Sequence, residues 1–183
     1  AALQASRQIS TTFLPRAGVI PVKWNQSAPS KIFFQSKSAA VALEIAEYAS
    51  RWTRASDITY LERHGKPVEE RCVASEREAM EDILSHVRLG HDGYETAAIL
   101  TMTEEQAKRV YQYVKKHRTD VNYVNRDSSV FQKGITVTTY YLAKGLEFDQ
   151  VFIFGGEKEN AFFKQFRYIS ATRALHELYV YDI

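Results

Sequence analysis

The run Thr96-Ala97-Ala98-Ile99-Leu100, followed almost at once by Thr103-Glu104-Glu105-Gln106, constrains this chain more than any other stretch. Small and apolar residues in sequence, without polar alternation, are the pattern of a strand covered on both faces. Thr103 and Gln106 then make a capping box, in which each side chain satisfies a backbone N–H at the helix start. The helix they open turns Ala107, Val110, Tyr111 and Val114 to one side. A doubly covered strand leading into an amphipathic helix is half of a βαβ unit. The rest of the chain repeats the rhythm. Ser75 and Glu78 form a second capping box before a helix with Ala79, Met80, Ile83, Leu84 and Val87 on one face, closed by Gly90 and Gly93. Further strands are predicted over 121–124, 135–141 and 150–155, a last helix over 160–173 and a last strand over 177–181.

Upstream, residues 31–35 read as a short strand entering a helix over 36–52, where Val41, Ile45, Tyr48 and Trp52 recur at helical spacing. Residues 57–67 are polar and turn at Arg63-His64-Gly65-Lys66-Pro67, and Cys72 falls in a strand. The first 30 residues are broken by Pro15, Gly18, Pro21 and Pro29, with a loop at 25–30. Strands alternating with helices of this length imply an α/β fold with a mainly parallel sheet and helices on both faces.

Composition removes whole classes. Hydrophobic residues are 45% and charged residues 25% of the 183, the balance of a globular domain. No apolar run is long enough to span a bilayer. The lone Cys72 excludes an internal disulfide and a cysteine-based zinc site. With 24 Lys and Arg against 22 Asp and Glu, the net charge is +2, so bulk electrostatics does not mark a nucleic-acid binder and only a local basic stripe remains. The start at Ala1-Ala2-Leu3 without a methionine, and without a signal peptide, reads as a segment of a longer chain working in a reducing cytoplasm.

The usual chemical motifs are missing. None of the eight glycines opens G-x-x-x-x-G-K-[ST] or G-x-G-x-x-G, and no strand ends in the acidic pair of a Mg²⁺-holding segment. The histidines at 64, 86, 91, 117 and 176 have no metal spacing, so no metal ligand is assigned; His86 and His91 read as residues of a solvated helix end. No G-x-S-x-G elbow occurs either.

Two segments near the C-terminus carry signal. In Val137-Thr138-Thr139-Tyr140-Tyr141-Leu142-Ala143-Lys144-Gly145-Leu146-Glu147-Phe148, a β-rich run breaks at Ala-Lys-Gly before a second apolar strand. That reading sets Lys144, Gly145 and Glu147 in a tight turn at the C-terminal end of a buried strand, the edge where open α/β sheets bind ligands. Gly145 admits close backbone approach, Lys144 suits phosphate and Glu147 can accept from a sugar hydroxyl; an ordinary turn with a surface Lys and Glu is the alternative. In Tyr168-Ile169-Ser170-Ala171-Thr172-Arg173-Ala174, Arg173 closes a helix. It is either a cation suited to the helix dipole or an arginine reaching a transferring phosphoryl group.

Together the two segments resemble motifs V and VI of superfamily 1 helicases of the UvrD/PcrA/Rep type, with patterns T-x-H-x-A-K-G-L-E-F and Y-V-x-x-T-R-A. The wording Tyr-Leu-Ala-Lys-Gly-Leu-Glu-Phe-Asp with Thr-Arg-Ala-Leu-His looks closest to the HelD-like branch associated with bacterial RNA polymerase. The resemblance implies a three-layer RecA-like fold of the P-loop NTPase class, with residues 68–183 as the second RecA-like lobe and 1–67 as an N-terminal segment containing an insertion. It implies an ATP-dependent DNA helicase in which ATP and Mg²⁺ bind only together with an N-terminal lobe that supplies the phosphate loop. By the same resemblance Arg173 is the arginine finger, Lys144, Gly145, Glu147 and Arg173 line the nucleotide, and Thr139 and Tyr141 face nucleic acid. Tyr141 stands where the family has His, and Arg167 where it has an apolar residue. Arg7 is the candidate for the motif IV arginine. The implied partners are the N-terminal lobe, single- or double-stranded DNA and RNA polymerase, with no membrane. A non-catalytic docking module is the rival reading.

Overall fold

The computed structural model describes residues 32–33, 43–53, 58–59, 65–91, 93–126 and 132–183. Arg7 and the loop at 25–30 lie outside the described residues. A small parallel pair, β1 (Ile32–Phe33) with β2 (Ile58–Thr59), and the helix α1 (Leu43–Ser50) come first. They are followed by β3 (Glu69–Cys72), α2 (Glu76–His86), β4 (Thr96–Thr101), α3 (Glu104–His117), β5 (Val121–Tyr123), β6 (Gly134–Thr139), β7 (Phe148–Phe154), α4 (Phe163–Ala171) and β8 (Ala174–Asp182). The last six strands form one sheet in the order β3-β8-β7-β4-β6-β5. Every pairing in it is parallel.

The apolar runs explain the layers. β4 and β7 are central strands with Ala97 to Leu100 and Val151 to Phe154 fully buried, as residues covered on both faces must be. Alternate side chains feed two cores. Ala97, Ile99, Ile135, Phe152 and Tyr181 meet Ala79 and Ile83 of α2 and Val110 and Val114 of α3. Ala98, Leu100, Val151 and Ile153 meet Phe166 of α4, Ile45 and Tyr48 of α1, and Tyr140 and Ala143 of the β6–β7 connection. Each large side chain withdrawn from water in this way contributes about 1.5–3 kcal/mol. The result is the three-layer α/β RecA-like arrangement. α1, which precedes residue 68, is part of the second layer, and its Glu44 accepts a hydrogen bond from Gly65 N at 2.9 Å.

The Thr103–Gln106 capping box is formed in full, whereas at α2 Ser75 caps the helix but the Glu78 carboxylate reaches one residue further back, to Ala74 N, instead of the Ser75 N–H. Ser75 Oγ accepts from Glu78 N at 3.2 Å while Glu78 accepts from Ala74 N, and Thr103 Oγ1 accepts from Gln106 N at 3.3 Å. Other boundaries move for reasons of pairing. β8 begins at Ala174 rather than 177 because Phe148 of β7 pairs with Ala174. β6 stops at Thr139 rather than 141, since Leu142 and Ala143 turn their N–H groups back onto the Thr139 carbonyl. α2 ends at His86, capped by Val87, and Gly90 and Gly93 serve the following turn. α4 spans 163–171 rather than 160–173.

One polar cluster ties the layers. Glu177 on β8 is 1% exposed. Its carboxylate accepts from Lys66, from Gln150 Nε2 at 2.7 Å, from Tyr179 at 3.1 Å and from Tyr94 at 3.2 Å. Gln150 in turn donates to the His86 carbonyl at 3.1 Å and accepts from Arg88 N at 2.8 Å, joining β7 to the end of α2. Burial alone would raise the Glu177 carboxyl, but the hydrogen bonds from Lys66 and Gln150 outweigh it and hold it below the usual carboxylate range. A depressed folded-state value means stabilisation that is present above the unfolded pKa and is lost as pH falls through the folded one. Glu177→Gln is therefore expected to be less stable at neutral pH, with the gap to wild type narrowing towards acid in urea titrations. Thr103→Ala removes the α3 cap and should cost about 1 kcal/mol, read as a lower urea midpoint at unchanged slope.

Candidate functional site

Parallel pairing decides where the two motif-bearing segments meet. Thr139 at the end of β6 pairs with Thr101, which also pairs with Phe154 at the end of β7. The connection 140–147 must therefore run from the C-terminal edge of the sheet to its N-terminal edge before Phe148 begins β7. This corrects the expectation of a tight turn at the C-terminal edge. Tyr140 and Tyr141 remain there, while Glu147 lies at the opposite edge, where Phe148 N donates to the Arg173 carbonyl at 2.9 Å.

Arg173 brings the segments together. Its Nη1 donates to the Leu146 carbonyl at 3.1 Å, its Nε to the Ile169 carbonyl at 3.3 Å and its Nη2 to Thr172 Oγ1 at 3.1 Å. The end of α4 and the Lys144–Glu147 turn are thus held on one edge by one side chain. A guanidinium has five N–H donors, so two remain after these three bonds. Burial lowers the Arg173 pKa from its ordinary value, and the nearby Glu147 carboxylate and Tyr168 phenol oppose that shift. The group stays a cation, as arginine does in proteins. Lys144, Gly145 and Glu147 are exposed, and of these the Glu147 carboxylate is near enough to act on the Arg173 charge. Gly145 has φ +90°, in the left-handed region, and the space its missing Cβ would occupy is empty out to 4 Å. This edge offers a fixed guanidinium with a carboxylate acceptor near it, and the turn whose Leu146 carbonyl Arg173 holds also carries the exposed Lys144 ammonium.

Thr139 and Tyr141 part company. Thr139 is 1% exposed, and its buried hydroxyl has no hydrogen-bond partner among the described residues. Tyr141 is 36% exposed, and its hydroxyl donates to Glu104 Oε1 at 2.7 Å. Arg126 stacks above the Tyr141 ring with Cζ 6.0 Å from the centroid, and its Nε lies 3.4 Å from Glu104. Sequence reasoning passed over Arg126, which follows β5 in a stretch with neither periodicity nor motif.

Arg167 is the other arginine of note. It is 2% exposed, ion-paired with Asp182, and packed over the Phe163 ring at 4.9 Å with Tyr48 Oη at 3.5 Å. It closes α4 against α1 and the end of β8, and has no free access to the Arg173 edge. Among the described residues no group of three or more His, Cys, Asp or Glu could hold a metal ion. No described helix is long and apolar enough to cross a membrane.

No protein-family model matches the chain, and no curated protein matches it. Among solved structures it is similar to the C-terminal domain of a possible DNA helicase from Lactobacillus plantarum WCFS1. The TM-score is 0.65 and the sequence identity 18%, over 80% of this chain and 88% of that one. At that identity the likeness is one of fold: this chain has the α/β, RecA-like arrangement also found in a helicase C-terminal domain.

Proposed function

We propose that this chain is the second motor lobe of an ATP-dependent DNA helicase or translocase. In this reading it completes an ATP site against an N-terminal RecA-like lobe of the same bacterial, cytoplasmic protein and contacts nucleic acid at its other edge. The carrying observation is the hydrogen bond from Arg173 to the Leu146 carbonyl, which places the helix-end arginine and the Lys144–Glu147 turn on one edge with two guanidinium donors unspent.

The residues present suit half of a nucleotide site. ATP with Mg²⁺ supplies a phosphoanhydride bond whose cleavage develops negative charge on the γ-phosphoryl oxygens. Arg173 offers its remaining N–H groups to that charge, and its three bonds within the lobe fix their direction in advance, so little reorganisation is needed. Lys144 adds a point charge on a flexible stem, suited to following phosphate oxygens as the lobes close. Glu147 accepts from a ribose hydroxyl, and Gly145 lets the backbone come close. The phosphate loop and the Mg²⁺-binding acid belong to the other lobe.

Nucleic acid lies at the C-terminal edge, at Tyr141, whose exposed ring can stack on a base, with Thr139 beneath it. The connection 140–147 joins this edge to the nucleotide edge, so lobe closure on ATP is felt at the strand. A second reading, a HelD-like factor lobe that remodels RNA polymerase, is favoured by Tyr141 itself, whose hydroxyl is engaged by Glu104. The presence of Lys144, Glu147 and Arg173 together speaks against a purely non-catalytic docking module.

In the full protein, Arg173→Ala should lower ATP turnover by about 10³ while the far-ultraviolet circular dichroism of the lobe is retained. Arg173→Lys keeps the charge but not the fork of donors and should also turn over slowly. Near-normal turnover in either variant with an intact fold overturns the arginine-finger role.

A further inference from the structure

Lys108, Tyr111 and Lys115 stand at i, i+3 and i+7 along α3 and so share one face of that helix. Lys115 Nζ lies 5.2 Å from the centroid of the Tyr111 ring. That ring is in turn 5.2 Å from the ring of Tyr123 at the end of β5, tilted by 35°. Burial pushes the Tyr123 phenol up, and the charges of Glu104, Tyr141 and Glu105 push it further. Arg126 over the Tyr141 ring closes the row at the C-terminal edge. Among the described residues the sheet ends at β5, and the row follows that border.

The charges along this row are unevenly spent. Lys108 and Lys115 are exposed and have no carboxylate partner among the described residues. Glu104 is already occupied by the Tyr141 hydroxyl and Arg126, and exposed Glu105 lies beside it in the first turn of α3. Packing of the sheet border calls for the rings alone. It does not call for lysines at 108 and 115 that no described carboxylate neutralises. Partly exposed aromatic rings interleaved with cations that no carboxylate neutralises are the chemistry that holds unstacked bases and their phosphates. A duplex, whose base faces are hidden, could use only the cations.

The geometry points to a lane for single-stranded nucleic acid over the α3–β5 border, in which bases stack on Tyr111 and Tyr123 and phosphates pair with Lys108 and Lys115. The lane continues the contact at Tyr141 and rests on the nucleic-acid part of the motor-lobe reading. It supplies the local basic stripe that a net charge of +2 leaves as the only electrostatic route to such a partner.

The test is fluorescence anisotropy of the full protein with fluorescein-labelled oligothymidine and oligouridine of about 15 nucleotides, over a range of potassium chloride. Lys115→Glu should weaken binding and reduce the slope of log K against log salt by about 0.7, the value of one phosphate contact on a single strand. Tyr111→Leu keeps the aliphatic packing and removes the stack, and should weaken binding about fivefold or more. ATP turnover without nucleic acid should match wild type in both variants. Loss with one oligonucleotide only identifies DNA or RNA as the strand held. Affinity within twofold of wild type and an unchanged salt slope in Lys115→Glu overturn the lane, and this exposed position decides the matter if Tyr111→Leu fails to fold. If wild-type protein binds neither oligonucleotide, the lane and the nucleic-acid contact at Tyr141 both fall. If wild type binds tightly and the variants match it, the lane alone falls.

Discussion

Everything in this fold follows from six strands pointing the same way. A parallel pair cannot be closed by a tight turn, so each strand leaves at one edge and the next enters at the other. α2, α3 and α4 make that return for their neighbours, and their apolar faces complete the two cores. Between β6 and β7 no helix intervenes. The return is made by 140–147, which lies in the same layer as α1 and α4 through Tyr140 and Ala143. The two edges of the sheet are thus joined by a segment that itself carries candidate chemistry at both ends.

Buried polarity fixes how the layers sit. A carboxylate with 1% exposure would be costly alone, and removing one partner of such a group leaves an uncompensated charge. Glu177 is surrounded by donors from Lys66, Tyr94, Gln150 and Tyr179. It fastens the start of the domain to its middle and end. Arg167 performs a similar task on the other face, where its guanidinium is pressed against Phe163 and paired with Asp182. A cation is tolerated at this buried position because its charge is met at the end of β8 and the rings cover the rest.

The sheet and the two capped helices were legible in the sequence because each rests on local rules, whereas the meeting of the two motif-bearing segments was an expectation of the family resemblance alone. Thr103 with Gln106 and Ser75 with Glu78 carry their own hydrogen-bond logic, and runs such as 96–100 are readable without neighbours. What was not legible depends on pairing. Ala174 and Leu175 join β8 because β7 lies alongside, and nothing in those residues marks a strand. The edge occupied by Glu147 could not be read from its own turn, since it is set by the register of Thr101 with both Thr139 and Phe154. Arg126 gains meaning only from Tyr141 and Glu104, which the fold brings to it from 15 and 22 positions away in the chain. The three rings of the α3–β5 border likewise come from separate elements, so no window of sequence contains them.

The connection 140–147 has one more property. Thr139 and Phe154 are level, so Phe148 sits six residues lower, about 20 Å down the sheet at strand spacing. Nine Cα steps separate Thr139 from Phe148, a reach of about 30 Å at full stretch, and the turns at Ala143 and Leu146 consume part of it. The segment is therefore less a loop than a short tie between two strands, with little contour to spare. A displacement of a few ångströms imposed at Tyr141 has little slack in which to dissipate before it arrives at Leu146, whose carbonyl holds Arg173.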